Sequence, residues 1–553
     1  MQLYNMSSTR RGTTAKMRPW VVGRYRVSVS SRSQSSRRML SLLAGVAVLA
    51  AACAQPAASQ QPAGGQAVEA QVETGALRGR QADGVKVFKG IPYAAPPVGD
   101  LRWRAPAKAA AWQGVREADR FGFDCIQNKP GWDPTQSKEP QNEDCLTVNV
   151  WAPERAAKAP VMVWIHGGGY VMGSGSQALF DGAKLAKRGV IVVTFNYRLG
   201  RFGFFAHPAL TAEAGDAPVG NYGYMDQIAA LEWVKRNISA FGGDPAQVTI
   251  FGESAGGGSV NQHMLMAPSR GLFARAIAQS GGGRDALALL SQDRPTKPSA
   301  ETVGKAFAVK AGVTGNDLAA LRALPAKTLL GNLDLLNMED ATYSGPFIDG
   351  RLVTSNAVDG FAAGKQAKVP YLVGANSDEM GVIPALFRGG LVSKALKQID
   401  GDTAGVEAAY GSKSAMNDRF LSDFNFVEPA RRLAGFQAQA GAPTWLYSFG
   451  YVPEAKRKSL KGAPHASELA FVFGNLSALD VKTTPADEAA ATLVGDYWTT
   501  FAKGGDPNGS GRATWPAYGR AADTLLSFTN DGPAAAKPDA GPLDAIGKLQ
   551  TRP

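Results

Sequence analysis

The 553-residue chain is poor in the groups that carry most site chemistry: it has four histidines, three cysteines and only 19% charged residues. Three cysteines exclude a disulfide scaffold, and no spacing among them supplies a four-ligand zinc site. With 44% hydrophobic residues, the composition also excludes a disordered chain, a collagen and a coiled coil. No Asp or Glu occurs before Glu69, whereas nine of the 59 Lys and Arg lie within residues 1–38. The formal charge of +12, taken whole, would suggest a nucleic-acid partner. Past residue 52 the balance is 50 basic against 47 acidic residues, or +3, and the body shows no basic cluster. No nucleic-acid partner is expected.

The basic stretch leads into Met39–Ala52, fourteen mostly apolar residues ending in small ones. As a helix this run would rise about 21 Å, short of the roughly 30 Å hydrocarbon core. Basic flank, short apolar run and small terminal residues together read as a secretory signal over 1–52. Ser36-Arg37-Arg38-Met39-Leu40 resembles a twin-arginine signal, and Leu49-Ala50-Ala51-Ala52-Cys53 resembles a bacterial lipoprotein box. Residues 53–69, rich in Ala, Gln, Pro and Gly, suit a flexible tether. The chain is therefore expected to be exported, periplasmic or secreted, with Cys53 either a lipid site that tethers it to a membrane or removed by cleavage. Cys125 and Cys145 then remain, an even pair that reads as one disulfide.

From about residue 70 to 553, apolar runs alternate with amphipathic stretches. Val161–His166, Val190–Asn196 and Val248–Phe251 suit strands buried on both faces, as do Ala274–Gln279, Tyr371–Ala375 and Trp445–Phe449. Between them, Ile228, Leu231, Val234 and Ile238 recur at helical spacing. This alternation predicts an α/β domain with a large, mostly parallel sheet flanked by helices, and residues 285–345 read as a helical insertion.

Phe251-Gly252-Glu253-Ser254-Ala255-Gly256-Gly257 places Gly-x-Ser-x-Gly between a predicted strand and a predicted helix. A sharp turn there would lift the Ser254 hydroxyl clear of the sheet, with glycines where a Cβ would clash. Serine needs a base to take its proton, and four histidines allow elimination. His166 and His207 precede Ser254; His263 lies nine residues along the helix that Ser254 begins. His465, in a Gly/Pro-containing loop downstream, is left as the base. Its acid partner is expected past the strand Tyr371–Ala375, where Asp378 and Glu379 stand side by side and spacing does not choose between them. His166-Gly167-Gly168-Gly169 after another strand suits an anion trap made of backbone amides.

These segments resemble the type-B carboxylesterase family, the branch of α/β-hydrolases that includes the cholinesterases. The likeness spans roughly 70–520. It rests on GIPYAAPPVGDLRWRAP (90–106), NEDCLTVNVWAP (142–153), VWIHGGGY (163–170), NYRLGRFGF (196–204) and VTIFGESAGGGSV (248–260). It continues in NSDEMG (376–381), GAPHASELAFVFG (462–474) and YWTTFAKGGDPN (497–508). The resemblance implies an α/β-hydrolase fold with Ser254 as nucleophile, Glu379 as acid and His465 as base. It implies oxyanion amides from Gly168, Gly169 and Ala255 and a Cys125–Cys145 disulfide. Cholinesterases hold a quaternary ammonium on a Trp in that loop, for which Trp132 is the candidate here. Their acyl-pocket phenylalanines fall near Asp340 and Thr342, which suggests a wider pocket and a broad esterase. No metal or cofactor is expected, and activity is expected to rise through an apparent pKa of about 6–7. The alternatives are a non-catalytic adhesion or binding module, and a lipase or thioesterase with the same triad.

Overall fold

The computed structural model describes residues 65–551 apart from Trp132, Glu339 and Asp340. Thirteen strands form its main sheet: β1 (Gln66–Val72), β2 (Gly75–Ala82), β3 (Val85–Pro92), β4 (Val115–Glu117), β5 (Thr147–Pro153), β6 (Ala159–Ile165) and β7 (Ile191–Phe195), followed by β8 (Gly243–Glu253), β9 (Arg275–Gln279), β10 (Tyr371–Asn376), β11 (Thr444–Phe449), β12 (Leu525–Thr529) and β13 (Gly532–Ala536). Their order is β1-β2-β3-β5-β7-β6-β8-β9-β10-β11-β12-β13, with β4 pairing β2. From β7 to β12 every pairing is parallel; β1, β2, β3 and β5 form an antiparallel flank, and β13 closes the other edge antiparallel. The sheet is thus mixed, with a parallel centre. Its first strand begins at Gln66, so the body starts a few residues before the expected 70. The half-exposed Gln66–Val72 pairs with β2 at the sheet edge, where polar residues are tolerated.

The parallel strands are apolar on both faces because both are covered. On β6, Val161, Val163 and Ile165 enter one core, while Met162 and Trp164 enter the other. The helix Tyr222–Asn237 covers the first face through Leu231 and Val234. On the second face lies the helix Pro485–Gly504, started by a Thr484/Asp487 capping box and stopped by Gly505 at φ 81°. Each fully buried large apolar side chain contributes about 1.5–3 kcal/mol, enough to override the β propensity of any single residue. Residues 285–345 include the helices Ala300–Lys310, Leu318–Ala323 and Ala326–Leu330, packed in a third cluster around Phe307, Leu321 and Leu329.

Candidate active site

Strand β8 ends at Glu253, and the helix Ala255–Leu265 begins two residues later. Ser254 makes the whole turn, at φ 55° and ψ −122°, a region that L side chains rarely adopt. The turn is over-determined by its neighbours. The Ser254 amide donates to Gln279 O at 3.0 Å, and its carbonyl accepts from the Gly258 amide at 2.8 Å. A Cβ on Gly256 would run into Ile165 O, and one on Gly252 would meet both Gly256 O and Ile165 O. Glycine is needed at both places because the elbow is pressed onto the end of β6.

Two neighbours in sequence, Asp378 and Glu379, fare differently in space. Glu379 is fully buried, and its Oε2 lies 2.6 Å from His465 Nδ1. Its other oxygen accepts from Ser280 Oγ at 2.6 Å and the Asn376 amide at 2.7 Å. Asp378 is only partly buried and takes no part in this cluster. The opposite side of the ring faces the residue before the serine: Glu253 Oε1 stands 3.1 Å from His465 Nε2. Among the described residues no hydrogen bond joins His465 to Ser254. Burial opposes charge on the ring, but the Glu253 carboxylate and then Glu379 outweigh it and raise the His465 pKa. Burial likewise raises Glu253 and Glu468, the latter held by Gln279 and Asn376. The ordinary histidine value expected for the acid limb left Glu253 out.

The other three histidines have structural tasks. His166 is buried, stacks on Tyr197 at 4.3 Å between centroids, and is lowered by burial to about 4. His207 caps the helix Pro208–Ala214 by accepting from the Ala209 amide. His263 is wedged between Ser269 and Gln227 at 2.8 and 2.9 Å. Gly168 and Gly169 take φ 97° and 61°, and a Cβ on either would strike Met172 O or Met338 Sδ. Ala255 opens its helix, so its amide has no partner within the first turn. Gly169, Ser254 and Ala255 border one cleft of about 570 Å³. Among the described residues, no group of three or more His, Cys, Asp or Glu is placed to hold a metal ion.

A model of the Carboxylesterase family matches residues 66–402 and 391–541. The chain belongs to the carboxylesterase family. It is 36% identical to the fumonisin B1 esterase of Sphingopyxis macrogoltabida over 485 residues, covering 82% of this chain and 85% of that one. It is 37% identical to the para-nitrobenzyl esterase of Bacillus subtilis over 462 residues, covering 80% and 91%. Among solved structures, a Geobacillus stearothermophilus carboxylesterase superposes with a TM-score of 0.73 at 35% identity, covering 86% of this chain and 99% of that one. The protein is a serine hydrolase of the α/β-hydrolase fold that cleaves carboxylic esters.

The disulfide of this carboxylesterase joins Cys125 to Cys145 across 20 residues. Cys53, Trp132 and Asp340 lie outside the described residues. Thr342 does not border the cleft as the acyl-pocket expectation has it. Its hydroxyl and carbonyl are taken by Arg201 at 2.7 and 2.9 Å, and the cleft wall is made by its neighbour Tyr343 and by Met338. The buried Arg201 draws Thr342 inward, so the wall keeps an aromatic ring. Residues that motif reading passed over are Glu253, Ser280, Glu468 and Phe426. Phe426 stands 4.8 Å from the His465 ring on a π-helical turn, Asp423–Val427. Glu253 had a local signal, a carboxylate inside an otherwise apolar strand-to-helix junction. The other three are brought in by contacts far apart in sequence.

Proposed function

We propose that Ser254 is the nucleophile of this carboxylesterase, His465 its general base and acid, and Glu379 the group that orients His465. The observation that carries this reading is the Glu379–His465 contact of 2.6 Å, beside a serine held in a strained turn at the edge of the cleft. Ester carbonyl carbon accepts the Ser254 oxygen while His465 takes the hydroxyl proton. The amides of Gly168, Gly169 and Ala255 stabilise the oxyanion, each worth about 3–4 kcal/mol to the transition state. His465 then protonates the departing alcohol, and water repeats the steps to release the acid. The Nε2 atom of the resting ring sits by Glu253; nucleophile–base contacts in unliganded sites commonly tighten only when substrate arrives.

The substrate range is that of a broad esterase, supported by a cleft of mixed character with Tyr170, Tyr224, Leu421 and Phe426 on its walls. Residues 1–52 direct export, and Cys53 is the lipid site or is removed with the signal. The disulfide supports an oxidising compartment. Hydrolysis of a 4-nitrophenyl ester by Ser254→Ala tests the mechanism: the expected loss is about 10⁴–10⁶ in kcat, on the scale of triad serine replacements. Rates equal to the unaltered enzyme would overturn it. Intact-mass measurement on membrane and periplasmic fractions decides the fate of Cys53.

A further inference from the structure

The proposed oxyanion donors come from two separate pieces of chain. Gly168 and Gly169 lie on the loop after β6, and Ala255 opens the helix Ala255–Leu265. Such donors act only when they converge on one oxygen at about 2.7–3.1 Å, so the two pieces must be held in register to about half an ångström. Their bases are pressed together: a Cβ on Gly167 would meet Glu253 O, and one on Gly256 would meet Ile165 O. Beyond Gly167 the loop runs through three successive positive-φ residues, Gly168, Gly169 and Tyr170, at 97°, 61° and 62°. Tyr170 is the one of the three with a side chain, and a bulky residue keeps such a backbone only where its surroundings over-determine it. The Tyr170 carbonyl accepts from the Gly200 amide at 2.7 Å. Its ring meets Phe204 and Tyr224 edge to face, at 5.2 and 5.7 Å between centroids. Its hydroxyl accepts from the Tyr224 hydroxyl at 3.0 Å. That hydroxyl also abuts the elbow helix, so closely that a Cβ on Gly258 would lie 3.0 Å from it. Tyr224 stands in the first turn of the helix Tyr222–Asn237, buried in the third cluster. Tyr170 is thus the first side chain after Gly168 and Gly169, and it reaches across to the helix that carries Ala255.

We propose that Tyr170 is a positioning residue for ester hydrolysis: its hydroxyl, seated against Gly258 and held by Tyr224, sets the distance between the Gly168–Gly169 loop and Ala255. This role rests on Ser254 as nucleophile and on those three amides as its oxyanion donors. Loss of the hydroxyl leaves the ring and the cleft walls in place, so ester binding is kept. What is lost is donor alignment, which counts only once the carbonyl oxygen carries charge.

Tyr170→Phe, Tyr224→Phe and the double variant test this, with 4-nitrophenyl acetate, butyrate and hexanoate as substrates. Two inhibitors of matched shape complete the set. A hexyl trifluoromethyl ketone takes the Ser254 oxygen at its carbonyl carbon, giving an oxyanion while His465 holds the proton. The alcohol made by reducing that ketone forms no adduct. Each single variant is expected to lose about tenfold in kcat, the worth of one ordinary hydrogen bond, against roughly 10²–10³ for removal of a whole oxyanion donor. KM should stay within about twofold, and the loss should be alike for all three esters. Affinity for the ketone should fall about tenfold while that for the alcohol is kept. The double variant should lose no more than either single one, because both changes break the same contact. Tyr224→Phe leaves the Tyr170 side chain intact, so a folding defect in one variant does not stop the test. A KM that rises while kcat is kept would make Tyr170 a substrate contact and overturn the proposal. Equal losses of ketone and alcohol affinity, losses that multiply in the double variant, or no loss at all would overturn it too. Binding of the ketone by Ser254→Ala as tightly as by the unaltered enzyme would instead overturn the assignment of the nucleophile.

Discussion

Glu253→Gln is the change that most directly probes how the site sets its proton affinity. Glu253 is 3% exposed, and its Oε1 lies 3.1 Å from His465 Nε2, with Glu379 at 2.6 Å on the other side of the ring. A carboxylate so placed favours the imidazolium, which is the form that cannot act as a base. Because the pKa of His465 is raised, activity is lost on the acid side at a higher pH than for an ordinary histidine. Burial holds the Glu253 carboxyl up to about 8, so its charge acts on the ring above that pH, where removing it lowers the His465 pKa and extends activity toward acid. The His465 side chain is 27% exposed, so solvent screening is substantial and the bulk-water dielectric sets a floor. At 3.1 Å that floor is about 1.3 kcal/mol, or about one pKa unit. The assay is the pH dependence of kcat/KM for a neutral ester, whose acid limb reports the free enzyme's base. Glu253→Gln should move that limb down by about one unit or more. A limb that stays in place while the plateau falls would refute the reasoning, because Glu253 would then act on something other than the ring's proton.

Three further outcomes follow from the packing. Gly256→Ala drives a Cβ into Ile165 O; it should cost about 1–3 kcal/mol or more and depress kcat/KM by displacing the elbow, and an enzyme with unchanged Tm and rate would contradict this. Asp226→Asn leaves Arg198, 4% exposed in its side chain and paired through contacts of 2.7 and 2.8 Å, buried with a weakened partner. Denaturant unfolding should show a loss approaching the roughly 3–5 kcal/mol of a broken buried pair. Cys145→Ser opens the 20-residue loop and should lower stability by about 3 kcal/mol, read from urea unfolding with the midpoint and slope both fitted.

Much of this molecule is visible along the chain because the governing forces are local or periodic. Runs such as Val161–His166 are apolar at consecutive positions, which only a strand covered on both faces requires, and β6 occupies Ala159–Ile165. The glycines around Ser254 mark an elbow because no other residue fits beside the carbonyls of β6. Scarcity also informs: with four histidines, elimination leads to the one that the fold sets beside Glu379.

Other features depend on contacts that no stretch of sequence contains. Asp378 and Glu379 are equivalent to any spacing argument. Burial separates them, because β10 delivers Glu379 into the amide of Asn376 and the hydroxyl of Ser280 while Asp378 stays near the surface. Thr342 turns from the cleft because Arg201, 141 positions away, claims both its oxygens. The approach of Glu253 to His465 spans more than two hundred residues. Local composition and periodicity thus determined strands, elbow and disulfide partners. The tertiary structure decided which carboxylates face the imidazole, because electrostatic coupling depends on distance through space and not on distance along the chain.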